Sequence, residues 1–308
     1  MSDSGGRGGV SLIVPSRGRA PLLRQAVDAV LRGDTVPDEI VIVDESDEAD
    51  PELRRLATDR PCAIRYLHSR SLGVSAGRNE GMRVASGSLL LFIDDDIVVA
   101  PAWLAEMTRA LHKGGPRVIV TGRVVPLSIS DEMFVPSTKA DDARAEYVGR
   151  LDRDVLYSGN MGMHRHAFAH VGEFDDRLGI GAPFRAASDN DFGFRLLEAG
   201  FRIAYVPDAL VYHVAWRDRR AEWRVRWDYG VGQGAFYAKH LAAAEGHIAR
   251  RLVSDVRRHA LRMTKSVRRD PRLAREEAVY LAGVGIGFVR WLLTQSAGRR
   301  LRRRRLSA

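Results

Sequence analysis

The 308-residue chain holds one cysteine, Cys62, so no internal disulfide can form, and this usage suits a reducing compartment. Residues 1–9 are rich in Gly and Ser and lack the apolar core of a signal peptide or membrane anchor, which predicts an unstructured leader. A long hydrophobic run is missing too. Residues 278–289 are uncharged and mostly apolar, but those twelve fall short of the about 20 that a spanning helix needs. Two nucleotide signatures are absent. The loop Ser16-Arg17-Gly18-Arg19-Ala20 has no Gly-x-Gly-x-x-Gly, which excludes the dinucleotide fingerprint, and no Gly-x-x-x-x-Gly-Lys-Ser/Thr occurs, which excludes a P-loop. Acids are scarce in one region only. Residues 217–308 carry 23 Lys and Arg against 8 Asp and Glu, while the rest carries 25 against 31, so the net charge of +9 belongs to the C-terminal part.

What the chain does have is alternation of short apolar runs with amphipathic stretches. Residues 10–15 read as a strand, and Pro21 opens a helix to about residue 32. Strands follow at 39–44, 63–68, 89–93 and 118–124, with helices at 51–59, 73–85 and 103–112. This order predicts an α/β fold with a mostly parallel central sheet flanked by helices on both faces. The strand at 89–93 stops in Asp94, Asp95 and Asp96. Such acids fall at the carboxyl edge of the sheet, where open α/β folds bind ligands. Asp94 and Asp96, two apart, can put oxygens on one hard divalent cation, which removes the repulsion between them.

Several spaced features resemble the family 2 glycosyltransferases, inverting enzymes of the GT-A fold. Ile42-Val43-Asp44-Glu45-Ser46 is similar to the family's Asp-Asp-Gly-Ser element, and Gly73-Val74-Ser75-Ala76-Gly77-Arg78-Asn79-Glu80-Gly81 to its Gly-x-x-x-Ala-Arg-Asn-x-Gly helix. Gly159-Asn160-Met161, Gly172-Glu173-Phe174-Asp175, then Asp189-x-Asp191-Phe192 with Arg195, Gly200 and His213 follow in the family's order. The resemblance implies a GT-A-type nucleotide-diphospho-sugar transferase fold over residues 10–216. Its nucleotide and metal half would be 10–125 and its acceptor half 126–216, where 126–156 carry no readable signal.

The resemblance also implies roles. Asp44 would accept a nucleobase N–H, Glu45 stands where the family has Asp for the ribose, and Pro15, Arg17, Arg78 and Asp94 would join them around the nucleotide. Asp94, Asp96 and His213 would hold Mn²⁺ or Mg²⁺, with Asp96 the direct ligand; His213 and Trp216 form the His-x-x-Trp of the family's galactofuranosyl transferases. An imidazole ligand favours Mn²⁺. Gly159, Asn160 and Trp216 would lie on the acceptor side. Transfer needs a base for the acceptor hydroxyl. The family's Glu-Asp pair reads Ser188-Asp189 here, leaving Asp189 as the base and Asp191 as the fallback, with Ser188 or Asp189 also suited to capping a helix from 190. The small-residue segment 179–187 before it reads as a turn or an acceptor lid.

Past Arg217 the pattern is helical at 222–240, 248–269 and 273–293. Gly283 and Gly287, four apart, permit close approach of another helix. Trp291, the apolar stretch and the arginine run 299–305 suit an anionic membrane face, so residues 217–308 read as a basic extension of a cytoplasmic protein on the inner face of the membrane. The expected partners are a nucleoside-diphosphate sugar, a glycan, lipid-linked or cell-envelope acceptor, and that anionic surface. Two other readings compete. A nucleotidyltransferase lacks its Gly-rich, Lys-containing first loop here. A nucleic-acid-binding protein would need more than a basic tail without a reading motif.

Overall fold

The computed structural model describes residues 8–55, 62–127, 133–135, 137–218, 221–241 and 246–306, with side chains to residue 295. The leader over 1–7 and the predicted helix end past 55 lie outside the described residues. The chain divides into two compact units, Met1–Asp176 with Phe192–Arg217, and Arg177–Asp191 with Asp218–Ala308.

The first half of the first unit follows the predicted order: β1 (Val10–Ser16), α1 (Ala20–Leu31), β2 (Glu39–Asp44), α2 (Pro51–Arg55), β3 (Ala63–His68), α3 (Val74–Val84) and β4 (Leu89–Ile93). Then come β5 (Ile97–Val99), α4 (Trp103–Gly114), β6 (Val118–Pro126), β7 (Met133–Phe134), β8 (Ala145–Tyr147), β9 (Asn160–His164), α5 (Arg165–Val171), α6 (Ser188–Glu198), β10 (Arg202–His213) and β11 (Arg217–Asp218). The main sheet runs β3-β2-β1-β4-β9-β6-β10-β5, with β8 also paired to β10. Strands β3, β2, β1 and β4 are mutually parallel, as are β6 and β10, while β9 lies antiparallel between β4 and β6.

Because strand side chains alternate, the continuous apolar runs serve two cores. Leu12, Ile40, Leu89 and Leu91 face α1 and α4 on one side, where Leu23, Val27, Trp103 and Met107 are buried. Ile13, Val41, Leu90 and Phe92 face the other, with Met82, Ala167 and Leu196. Full burial of each such aliphatic contributes about 1.5–3 kcal/mol. The edge made by parallel β1, β2, β4 and β10 therefore carries Ser16, Asp44, Asp94 and His213 at or just past strand ends.

The second unit holds α7 (Glu222–His240), α8 (His247–Ser266) and α9 (Pro271–Leu306) with the segment Arg177–Asp191. Close approach of α9 to α7 depends on glycines: a Cβ at Gly283 would meet the Trp227 carbonyl oxygen, and one at Gly287 that of Val231. Here the expectation for Gly283 and Gly287 agrees with the packing. Trp291 differs from expectation. It is 2% exposed, its ring 5.2 Å from Phe184 and 4.1 Å below the Arg177 guanidinium, so it is core rather than membrane-facing. The segment 179–187 is likewise anchored within its unit through buried Leu178 and Phe184, beside Val231 and Ala235.

An ion network ties α8 to α9. Glu277, fully buried, meets Arg226 at 3.3 Å, Arg262 at 3.5 Å and His259, whose other ring nitrogen lies 3.5 Å from Asp255. Burial works to lower the His259 pKa, but hydrogen bonds and charge from Asp255 and Glu277 outweigh it and raise it. Burial works to raise the Asp255 pKa, and bonds from His259, Tyr237 and Tyr280 bring it below the ordinary value. The stability His259 adds is full below the unfolded pKa of about 6.5 and is lost as pH rises through its raised folded value; that of Asp255 is lost as pH falls below about 4. The helical unit is expected to melt highest between these limits. His259→Gln should flatten the alkaline side of a midpoint-against-pH curve; an unchanged slope would remove His259 from the account.

Candidate active site

The acids after β4 occupy three different environments. Asp95 is fully buried, held by Ser16 Oγ at 2.7 Å and Arg19 Nη2 at 2.7 Å, and burial pushes its pKa up to about 7 against the pull of Arg19. Asp96 is 3% exposed. Its Oδ2 accepts from Trp216 Nε1 at 2.6 Å and Arg19 Nη1 at 3.1 Å, and its Oδ1 lies 3.4 Å from His213 Nε2. Burial alone would raise the Asp96 pKa, but His213, Arg19 and Trp216 together hold it far below the carboxylate range. Asp94 is the accessible acid, its side chain 26% exposed, with Oδ1 on Arg78 Nη2 at 2.6 Å. A Cβ at Gly159 would overlap Asp94 Oδ2, so only glycine leaves that oxygen its place.

Among the described residues no group of three His, Cys, Asp or Glu side chains is arranged to hold a metal ion. Here Asp96, past the end of β4, meets His213 at the end of β10, and Val214 N binds the Asp96 carbonyl at 2.9 Å. His213 Nδ1 lies 3.3 Å from the Ser137 carbonyl. A proton on Nδ1 for that contact leaves Nε2, the nitrogen facing Asp96, as the lone pair in neutral imidazole, the arrangement metal-binding histidines use. Burial opposes charge on His213, yet Asp96 and Asp94 raise its pKa. A cation would take the place of that ring proton as partner to Asp96.

At the end of β2, Asp44 is 2% exposed, with Oδ1 accepting from Ser46 N at 3.0 Å and from the Ser46 hydroxyl, and Oδ2 from Tyr66 OH at 2.6 Å. Burial and this bond push the Tyr66 pKa up to about 12. Glu45, also buried, accepts from Gly73 N at 2.8 Å and ties the start of α3 to the end of β2; burial raises its pKa. Arg17 is exposed, 3.6 Å from Asp47, whereas Pro15 is buried in the sheet in register with Val43. Arg78 is 2% exposed and lies over the Phe174 ring at 5.6 Å.

Three expectations need correction. Asn160 is fully buried, its amide engaged with Trp103 Nε1 at 2.8 Å and the carbonyls of Arg123 at 3.1 Å and Ala209 at 2.9 Å, so it braces the sheet rather than facing an acceptor. Trp216 gives its indole N–H to Asp96 and stacks under Arg19 at 4.9 Å, which puts it beside the acids after β4. Asp191 has no exposed surface; within the second unit it is bound by Lys239 Nζ at 2.6 Å and His240 Nε2 at 2.8 Å. Helix α6 starts at Ser188, so Ser188 and Asp189 stand in its first turn, where Ser188 Oγ meets Asp189 Oδ1 at 3.2 Å. The motif residue Asn79 is structural as well, its amide pairing both backbone groups of Phe174 at 2.9 Å.

Residues that sequence reasoning passed over are Arg19, which neutralises two of the three acids, and Tyr66, which orients Asp44. Arg19 stood in the loop opposite the acid cluster, a charge pattern that was there to be read.

The profile of Glycosyl transferase family 2 matches residues 11–172. The chain is 28% identical over 236 residues to a pre-mycofactocin glycosyltransferase of Mycobacterium tuberculosis, covering 74% of this chain and 46% of that protein. It is 26% identical over 250 residues to O-antigen biosynthesis protein RfbC of Myxococcus xanthus, covering 74% of this chain and 19% of that one. The chain thus spans about half, or less, of the length of these curated relatives. Among solved structures it is similar in fold to mannosyltransferase PcManGT from Pyrobaculum calidifontis in complex with GDP-Man and Mn²⁺, with TM-score 0.58, 18% identity and coverage of 96% of this chain and 82% of that one. Staphylococcus aureus TarS gives TM-score 0.57 at 18% identity, covering 81% and 43%. With a family profile matched over more than half its length on a sheet that ends in these acids, the chain belongs to glycosyl transferase family 2 and has the GT-A fold.

Proposed function

We propose that this chain is an inverting, metal-dependent glycosyltransferase that moves a sugar from a nucleoside diphosphate to a hydroxyl of a glycan, lipid-linked or cell-envelope acceptor at the cytoplasmic face of a membrane. The observation that carries the reading is the placement of Asp44, the Arg78–Asp94 pair and the Asp96–His213 pair along one sheet edge in a chain of this family. Relatives named for pre-mycofactocin glycosylation and O-antigen biosynthesis support the acceptor class.

Asp44 accepts a nucleobase N–H; a carboxylate oxygen bonded to Tyr66 keeps a lone pair for it. Asp94, Asp96 and His213 would hold the ion, and an imidazole in that set favours Mn²⁺ over Mg²⁺. When bound, the ion offsets the charge gathering on the departing diphosphate. Arg78 adds a fixed positive charge beside Asp94. The acceptor oxygen attacks the anomeric carbon on the face opposite the diphosphate. As that C–O bond forms, the carbon–phosphate-oxygen bond breaks and its electron pair leaves with the nucleoside diphosphate. Asp189 takes the hydroxyl proton. Asp189 stands in the first turn of α6, and the burial of Asp191 under Lys239 and His240 supports Asp189 as the working acid of the two.

The test is release of nucleoside diphosphate from UDP-, GDP- and dTDP-sugars with Mn²⁺. Release from one donor class, stopped by chelation, is expected. Release indifferent to chelator would remove the metal from the mechanism.

A further inference from the structure

Helix α9 has two faces of different character. One is spent inside its unit, through Glu277, Gly283, Val284, Gly287 and Trp291. The other, Ala278, Ala282, Ile286, Val289 and Leu293, repeats at helical spacing and is exposed, with Ile286 at 46%, Val289 at 54% and Leu293 at 64%. Over Pro271–Gln295 the helix is long and apolar enough to cross a membrane. Spanning, however, would carry Glu277 with its partners Arg226, Arg262 and His259 toward the hydrocarbon, and charged groups there are costly. A helix packed along one side and apolar along the other suits the interface plane.

Charge indicates which interface. Helix α8 also exposes apolar side chains, Val253 at 66% and Val256 at 38%, and among them exposed Arg257, Arg258, Arg262 and Lys265. Beyond α9's apolar row the sequence continues with Arg299, Arg300 and residues 302–305, all arginine. Apolar rows bordered by cations of one sign match a surface that offers acyl chains beneath phosphates.

We propose that the helical unit docks peripherally on an anionic bilayer. The exposed row of α9 enters the boundary between headgroups and acyl chains, and the exposed basic residues of α8 meet lipid phosphates. Trp291 takes no part. This inference gives the membrane-side reading a surface, yet its test needs no donor, acceptor or metal, so it stands or falls apart from the transfer chemistry.

The test is sedimentation of the intact chain with vesicles of phosphatidylcholine alone and of phosphatidylcholine with phosphatidylglycerol. Three results are expected. Binding should need the anionic lipid and should fall with salt. Alkaline carbonate should strip the protein. Ile286→Asp with Val289→Asp and Leu293→Asp should weaken partition at least about 10-fold. That variant changes only exposed positions, and an unchanged thermal midpoint would show it folded. A second substitution set, Arg257→Gln with Arg258→Gln, should weaken binding to anionic vesicles alone. Failure to bind anionic vesicles would overturn the proposal. So would carbonate-resistant binding, which means spanning, or a solution dimer abolished by the Asp variant, which means that a second copy covers this face.

Discussion

Asp189→Asn is expected to lower turnover by about 10³ while leaving nucleotide binding unchanged, because a positioned general base supplies roughly 10²–10⁴ of rate. The substitution keeps the side chain's size and its ability to meet Ser188 Oγ, so α6 should start as before. Only the capacity to take a proton goes. The neighbouring acid should behave in the opposite way. Asp191→Asn takes the countercharge from Lys239 and His240 at a fully buried position, and breaking such a pair from one side costs about 3–5 kcal/mol. It is expected to lower the thermal midpoint sharply, with activity falling in step with folded protein. Steady-state rates and melting curves on both variants separate the roles. A fully active Asp189→Asn with an inactive but stable Asp191→Asn would reverse them.

The second large effect concerns α7 and α9. Gly234→Leu should destabilise the helical unit by at least about 3 kcal/mol, at the top of the usual overpacking range. A Cβ at 234 would overlap the Val284 carbonyl oxygen and approach the Phe288 backbone nitrogen at 2.7 Å. These are backbone atoms of a helix and cannot rotate aside, so the helices must part and the contacts around Val284 and Trp291 loosen. Gly285 is the control. A Cβ there meets nothing within 4 Å, so Gly285→Ala should gain up to about 1 kcal/mol from helix propensity. Thermal melts followed by circular dichroism read both. Equal melts for the two variants would mean that glycine contact does not hold this pair.

Much of the nucleotide half was legible because its information is local. Apolar runs ending in Ser16, Asp44 and Asp94 fix both the strands and the edge at which they stop, and β2, β3 and β4 begin and end where the sequence indicated. The Gly73–Gly81 motif could be read as a motif, but not for its reason. Asn79 serves Phe174, 95 residues away, rather than a ligand. Elsewhere the deciding contacts are distant in sequence. Strand β10 runs from Arg202, but Pro207 and Asp208 split it into two apolar runs, 203–206 and 209–212, so only its second run was read as the approach to His213. Asn160 looked like a polar site residue and is instead a buried brace, because Trp103 and the Ala209 carbonyl come together only in the folded sheet. Trp291 looked interfacial until Phe184, more than a hundred residues earlier, covered it. The accessible acid of the site, Asp94, could not be told from Asp95 and Asp96 without knowing where Arg19 and His213 fall.

The most direct measurement is a thermal-shift series on the intact chain with UDP, dTDP, GDP and ADP, each with and without Mn²⁺, repeated on Asp96→Asn. Ligand at about a hundred times its dissociation constant adds roughly 2.7 kcal/mol, which raises the midpoint by about 5 °C or more for units of this size. The account predicts a rise with one nucleotide that needs Mn²⁺ and vanishes in Asp96→Asn. No rise with any nucleotide in a folded protein, or the same Mn²⁺-dependent rise in Asp96→Asn, would contradict it.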